Sequence, residues 1–232
     1  ALPALAAPGN PRVVGTATQA SGADPWVLVT TTGAISGGDV VFVIAASELN
    51  MTAVDVNCVG CFVSRGGAEA QPYLWNSVLQ PTGKAAQADL KTLAAFARKD
   101  IPVGTQVQVR FGGGTGAKSV TLVAVSGAAD YGLKPTGGNA FASGTGTAVG
   151  WSCTASCSIP GNLMMVTASV ISGGGSDTYT EDAGWTFLHQ TAAGVWPTIR
   201  LAYKASGAGG TFSYGLTNGT SRSWYSGALL VK

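Results

Sequence analysis

The chain has 232 residues, 34 of them glycine, with charged side chains at only 10% and 13 basic against 11 acidic residues for a net charge of +2. That is well below the roughly 25% charge of ordinary soluble domains, and the length suffices for one large core or two smaller ones, so a disulfide-held mini-protein is excluded. No basic cluster exceeds "ARK" at Ala97 to Lys99, and apolar runs such as "VVFVIAA" at Val40 to Ala46 fall short of a membrane-spanning helix, so neither nucleic acid nor a membrane is expected as a partner.

Taken from its start, the chain opens on "ALPALAAPGNPR", with three prolines in the first eleven residues. Residues 1–11 read as an extended arm, without the basic leader or apolar run of a signal peptide. The arm is expected to lie on its own domain or on a neighbouring subunit.

From Arg12 onward one pattern occurs twice. "GGDVVFVIAAS" from Gly37 and "PGNLMMVTAS" from Pro160 superpose with Gly38 on Gly161, and "VNCVGCFVS" lies over "EDAGWTFLH" with Gly60 on Gly184. Further on, "LAAFARK" ending at Lys99 matches "TIRLAYK" ending at Lys204, and "QVQVRF" from Gln106 matches "TFSYGL" from Thr211. "TLVAVSG" and "SGALLVK" close the two copies. Val107, Val109 and Phe111 share the alternation of Phe212, Tyr214 and Leu216, the period-2 signature of a half-buried strand. The first copy carries an insertion between about Ser64 and Thr92. "KAAQADLKTLAAFARK" from Lys84 has helix-forming residues, but its counterpart carries a proline and alternates, so a strand is expected from about Thr92 with at most a short helix before it.

Short strands between Gly, Ser, Thr and Asn turns predict an all-β chain. The expected architecture is two tandem antiparallel, jelly-roll-like β-sandwich units from an internal duplication, residues 12–131 and 141–232, joined by the linker "GLKPTGGNA" at residues 132–140. A single fused sandwich is the alternative.

The chemical motifs are sparse. Cys58 and Cys61 form a C-x2-C, and Cys153 and Cys157 a C-x3-C. Three readings stand open: a disulfide closing each turn of hairpin-loop length, free or cross-paired thiols, and a four-thiolate zinc site. Redox chemistry would want a helix N-terminus beside the C-x2-C, and none is expected. "GGGTGAKS" at Gly112 to Ser119 nearly matches a phosphate-binding loop, but a strand follows it rather than a helix, so a glycine-rich β-hairpin is expected.

His189 is the only histidine and no G-x-S-x-G elbow occurs, so His189 reads as a structural or surface residue. Asp177, Glu181 and Asp182 make the one dense acidic group, a solvated turn or a calcium loop. Asn50 and Asn218 sit in glycosylation sequons to which no function attaches. Trp151, Trp185 and Trp224 read as sandwich packing, whereas Trp75 and Trp196 lie in loop-like surroundings where an exposed ring could bind a surface. No cofactor, metal or catalytic residue is implied.

The succession "GDVVFVIAAS", "CFVS", "LAAFARK", "TQVQVRF", "SVTLVAVSG", repeated as "GNLMMVTAS", "GWTFLH", "RLAYK", "TFSYGL", "SGALLV", resembles the glycine- and alanine-rich β-sandwich virion proteins of tailed bacteriophages, those of actinobacterial hosts above all. The resemblance covers nearly the whole chain and is one of pattern, without a diagnostic motif. It implies a non-enzymatic virion structural protein, a capsid decoration or minor tail protein acting by assembly and surface display. Its partners would be other virion subunits, with homo-oligomers in the particle, which assembles in the host cytoplasm and ends as an extracellular virion. The alternatives are a carbohydrate-binding sandwich using loop aromatics on a host-surface glycan, and a glycan-active hydrolase.

Overall fold

The computed structural model describes residues 7–20, 24–48, 51–58, 60–63, 79–85, 88–113, 116–132, 135–137, 140–153, 157–172, 177–191 and 197–232, with backbone alone at 63 and 79–85. The described residues form strands and turns with no helix. In order these are β1 (Arg12–Gln19), β2 (Trp26–Thr30), β3 (Val40–Glu48), β4 (Ala53–Asn57), β5 (Phe62–Val63), β6 (Leu79–Ala85), β7 (Ala88–Ala97) and β8 (Gln106–Gly112). They continue as β9 (Lys118–Val125), β10 (Phe141–Cys153), β11 (Met164–Ile171), β12 (Tyr179–Glu181), β13 (Thr186–Gln190), β14 (Thr198–Ala205) and β15 (Phe212–Val231).

Local sequence explains the strand types. β8 alternates, burying Val107, Val109 and Phe111 while Gln106, Gln108 and Arg110 face outward, as a sheet with one wet face requires. Apart from Glu48 and Lys118 at strand ends, β3, β9 and β11 are apolar or small and buried on both faces, which suits the middle of a stack of sheets.

The strands pair antiparallel in three sheets. The first is β2-β8-β4; the second is β1-β9-β3-β7-β5 with β6 also on β7; the third is β10-β15-β11-β14-β13 with β12 on β15. β1 pairs with β9, β2 with β8 and β3 with β7. That first-with-last, second-with-penultimate pairing is what a long hairpin makes when it wraps into the two sheets of a jelly roll. Residues 141–231 make the same pairings: β10 and β15 run as one long hairpin and β11 pairs with β14. The register between β10 and β15 breaks between Gly146 and Ala148, so that the far ends of both strands, with β12, cover the third sheet's outer face.

Three cores separate the layers. Val27, Val43, Val109, Phe111 and Leu122 fill the first, between the first and second sheets. Phe42, Ile44, Val123, Val166, Ile199 and Leu229 fill the middle one, between the second and third sheets. Trp151, Met165, Trp185, Tyr214 and Leu230 fill the last. Among the described residues, strand pairing stays within 12–125 and within 141–231, apart from bridges of Tyr131 to Val231 and of Thr136 to Ser158, yet the middle core draws on both. Within the arm, Pro8 and Pro11 are buried and Gly9 N–H donates to Ser126 O at 2.8 Å, so residues 7–11 lie on their own domain.

Three expectations need correcting. β7 begins at Ala88 rather than Thr92, and 79–85 is strand rather than helix; the small, alanine-rich face of β7 fits between two packed sheets, which overrides helix propensity. The glycine-rich loop at 112–119 is not a hairpin, because β8 belongs to the first sheet and β9 to the second. The C-x2-C turn likewise joins β4 and β5, which lie in different sheets.

Candidate functional site

The densest polar chemistry gathers around β12, where the acidic loop meets two arginines. Arg222 Nε donates to Asp177 Oδ2 at 2.9 Å and its Nη2 to Oδ1 at 3.1 Å, and Asn218 Nδ2 adds a bond to Oδ2 at 3.0 Å. These contacts pin the bend where β15 leaves β11 and takes up β12 as a neighbour. The Arg222 hydrogen bonds hold the Asp177 carboxyl below the usual carboxylate range.

Arg200 is buried on β14, with Nε donating to Glu181 Oε1 at 2.8 Å, Nη2 reaching Glu181 at 2.6 Å and Tyr179 O at 3.3 Å, and Nη1 bonded to Gln190. Its guanidinium lies 5.1 Å from the Tyr179 ring centroid and 4.5 Å from that of Phe187, a cation between two π faces. Burial, then the Asp177 charge, pushes the Tyr179 hydroxyl up to about 12, and burial with Glu181 raises Tyr214 further. Each of the three guanidinium nitrogens of Arg200 is thus engaged, while Phe187 remains 50% exposed. With Asp177 and Glu181 held by guanidinium groups, the calcium reading of this loop is left with the exposed Asp182 alone, and no His/Cys/Asp/Glu group among the described residues has a metal-holding arrangement.

The four cysteines are joined as Cys58–Cys61 and Cys153–Cys157, with Cα separations of 5.5 and 5.0 Å. No free thiol remains, so the zinc and cross-paired readings fall. Cys61 N–H donates to Cys58 O at 3.1 Å, and Gly60 takes the left-handed conformation (φ 70°) that closing this turn requires. The Cys58–Cys61 bridge staples a turn that leaves one sheet for the next, the Cys153–Cys157 bridge starts from the last residue of β10, and neither presents a nucleophile.

Trp151 and Trp185 are core residues, as expected. Their rings stack edge-on at 5.9 Å, with Trp185 4.9 Å from Tyr214, and their indole N–H groups reach Thr167 Oγ1 and Ser213 O. Trp224 packs against the same core from a partly buried position and fills the space over Gly144. Trp75 and Trp196, the proposed surface aromatics, lie outside the described residues, as does Asn50. Asn218 is buried with its amide engaged, so that sequon offers no free acceptor.

His189 sits on β13 at the edge of the third sheet, beside a cleft of about 250 Å³ lined by Thr16, Ala17, Thr18, Gln190 and Thr191. Among the described residues neither a serine nor a cysteine lines that cleft, and burial lowers the imidazole pKa. Sequence reasoning missed Arg200, Arg222 and Phe187; the signal for the arginines lay in charge balance around an acidic loop, but their partners are 19 and 45 residues away. Compared with known proteins, the chain matches no family model and no curated protein.

Proposed function

We propose that the chain is a non-enzymatic structural protein of a tailed-bacteriophage virion, a capsid decoration or minor tail protein that acts by assembly and surface display. The observation that carries this reading is the jelly-roll pairing made in both halves and fused through a shared middle core, since jelly rolls recur in viral capsid and lectin domains. The use of charge supports it: Arg12–Asp39, Arg200–Glu181 and Arg222–Asp177 each tie strands or turns together rather than converge on a cleft. The repeated strand order also supports an origin by internal duplication. On this reading the partners are other virion subunits, including further copies of the chain, and the site of action is the extracellular particle.

Cosedimentation of the purified chain with virions or empty capsid shells, alongside light scattering of the chain alone, tests the proposal. Saturable binding at a fixed copy number supports it; a monodisperse monomer without affinity for either particle overturns it. Phe187 favours a second reading, binding of a host-surface glycan, because a half-exposed ring held rigid by Arg200 is a ready stacking platform. Glycan-array binding that Phe187→Ala abolishes would select that reading.

A further inference from the structure

The second and third sheets share a core, but at one margin their edges separate. There the Thr16–Thr18 stretch of β1, an edge strand of the second sheet, faces the His189–Thr191 stretch at the end of β13, an edge strand of the third, across the 250 Å³ cleft. The seam beside this cleft is tied where Ser119 Oγ on β9 donates to Pro197 O at 3.0 Å, and within the third sheet Ile199 N–H donates to Thr191 Oγ1 at 3.0 Å. His189 lines the cleft, its Nε2 is buried and makes no hydrogen bond, and its neighbour Leu188 packs into the middle core.

We propose that His189 is a proton-operated latch at this seam: neutral, it lets β13 close against β1; protonated, it loosens that edge while the rest of the stack holds. The surroundings give the direction. Among the described residues the cleft lining of Thr16, Ala17, Thr18, Gln190 and Thr191 carries no carboxylate that could receive an imidazolium. On β1 the one charged residue is Arg12, at the far end and paired with Asp39. On β14, Arg200 is held by Glu181 toward β12, and Tyr203 and Lys204 lie farther along the strand. On β9 the charged residue is Lys118, at the strand's first position, and the linking sequence Ala192 to Pro197 has no titratable side chain.

A proton on His189 therefore adds a charge to a half-buried position without an opposite charge beside it, and burial already lowers its pKa. A base whose folded pKa is depressed favours the closed state fully above about pH 6.5, the value of a free imidazole, and that contribution is lost as pH falls through the folded pKa. Each unit of depression corresponds to a tenfold change in the closing equilibrium. His189 as a whole is only partly buried at the cleft although its Nε2 is covered, so a local opening of this edge suffices to expose Nε2 and need not await global unfolding.

Because His189 is the only histidine, its imidazole proton resonance in the intact chain titrates without ambiguity. A midpoint below 6.5 is expected; a midpoint at or above 6.5 overturns the proposal. Hydrogen exchange corrected for intrinsic rate gives the second readout. Between pH 7 and pH 5, amides of β13 should exchange about tenfold or more faster while those of β8 are unchanged. His189→Gln should remove the β13 response. Equal acceleration of β8, or an unchanged response in H189Q, overturns the latch; if H189Q fails to fold, the wild-type titration and the β13-to-β8 ratio decide alone.

Discussion

Replacing Phe42 by alanine tests whether the layers unfold as one. Phe42 is fully buried in the middle core, flanked on its own sheet by Ala94 of β7 and Val123 of β9, and sharing that core with Val166 and Val170 of β11. Its neighbours are held by sheets on both sides, so the site has little freedom to collapse and the loss should lie in the usual phenylalanine-to-alanine range of about 3–5 kcal/mol. An unfolding entropy of roughly 2.1 cal/mol/K per residue, taken over the whole chain, gives about 0.5 kcal/mol/K, hence a fall in Tm of about 6–10 °C. Scanning calorimetry should show one transition before and after, moved by that amount, because residues 12–125 and 141–231 both contribute to the damaged core. Two resolved transitions of which only one moves, or a shift under about 2 °C, would refute the reasoning.

Asp177→Asn should cost about 1–3 kcal/mol in denaturant unfolding, since the asparagine cannot accept both Arg222 bonds. The sign with pH follows from the depressed Asp177 pKa: its contribution is complete above the ordinary carboxylate range and is lost as pH falls through the folded value, so D177N should be flat in that acid window where the wild type is not. Gly150→Ala should destabilise by about 1–3 kcal/mol or more, because its Cβ would press into the Tyr214 carbonyl oxygen across the β10–β15 ladder; unchanged stability would show the strands can separate freely. Thiol labelling of the denatured chain should find no reactive cysteine without reductant and four with it, and each Cys→Ser pair should cost about 2 kcal/mol or less, the low end expected for so short a loop.

Strands were legible where one face is wet. Val107, Val109 and Phe111 announce β8 by alternation, and Gly60 and Gly184, both left-handed, mark the turns before β5 and β13. Register was less legible. Superposing Gly38 on Gly161 matches letters, but the left-handed residues are Gly38 at φ 90° and Asn162 at φ 58°. Asparagine tolerates that conformation, so conformation and letter disagree by one residue. A slip of one exchanges faces: Val40 then corresponds to Met164, both in the middle core, rather than to Leu163 in the last. Sheet membership was not legible at all, because a short Gly-rich connection reads the same whether the next strand pairs with the last one or crosses to another layer.

The same limit governs the candidate site. An acidic cluster such as Asp177, Glu181 and Asp182 can be read locally, but whether it is a solvated turn, a cation site or an ion-pair anchor depends on what arrives opposite. Here β14 and the bend of β15 deliver Arg200 and Arg222, and once a guanidinium takes two oxygens of Asp177 there is little left for a cation. Among the described residues three ion pairs sit at strand ends and bends, and outward sheet positions such as Gln106, Gln108 and Arg110 of β8 are polar, with isolated apolar side chains such as Leu28 and Phe187 standing out. Such a surface is compatible with packing against neighbours over broad neutral areas, because interface cores are depleted in charge. If the chain is the virion protein proposed above, recognition would depend on shape and on the rare protruding side chain, and Leu28→Asp and Phe187→Asp are the substitutions expected to weaken particle binding most without unfolding the chain.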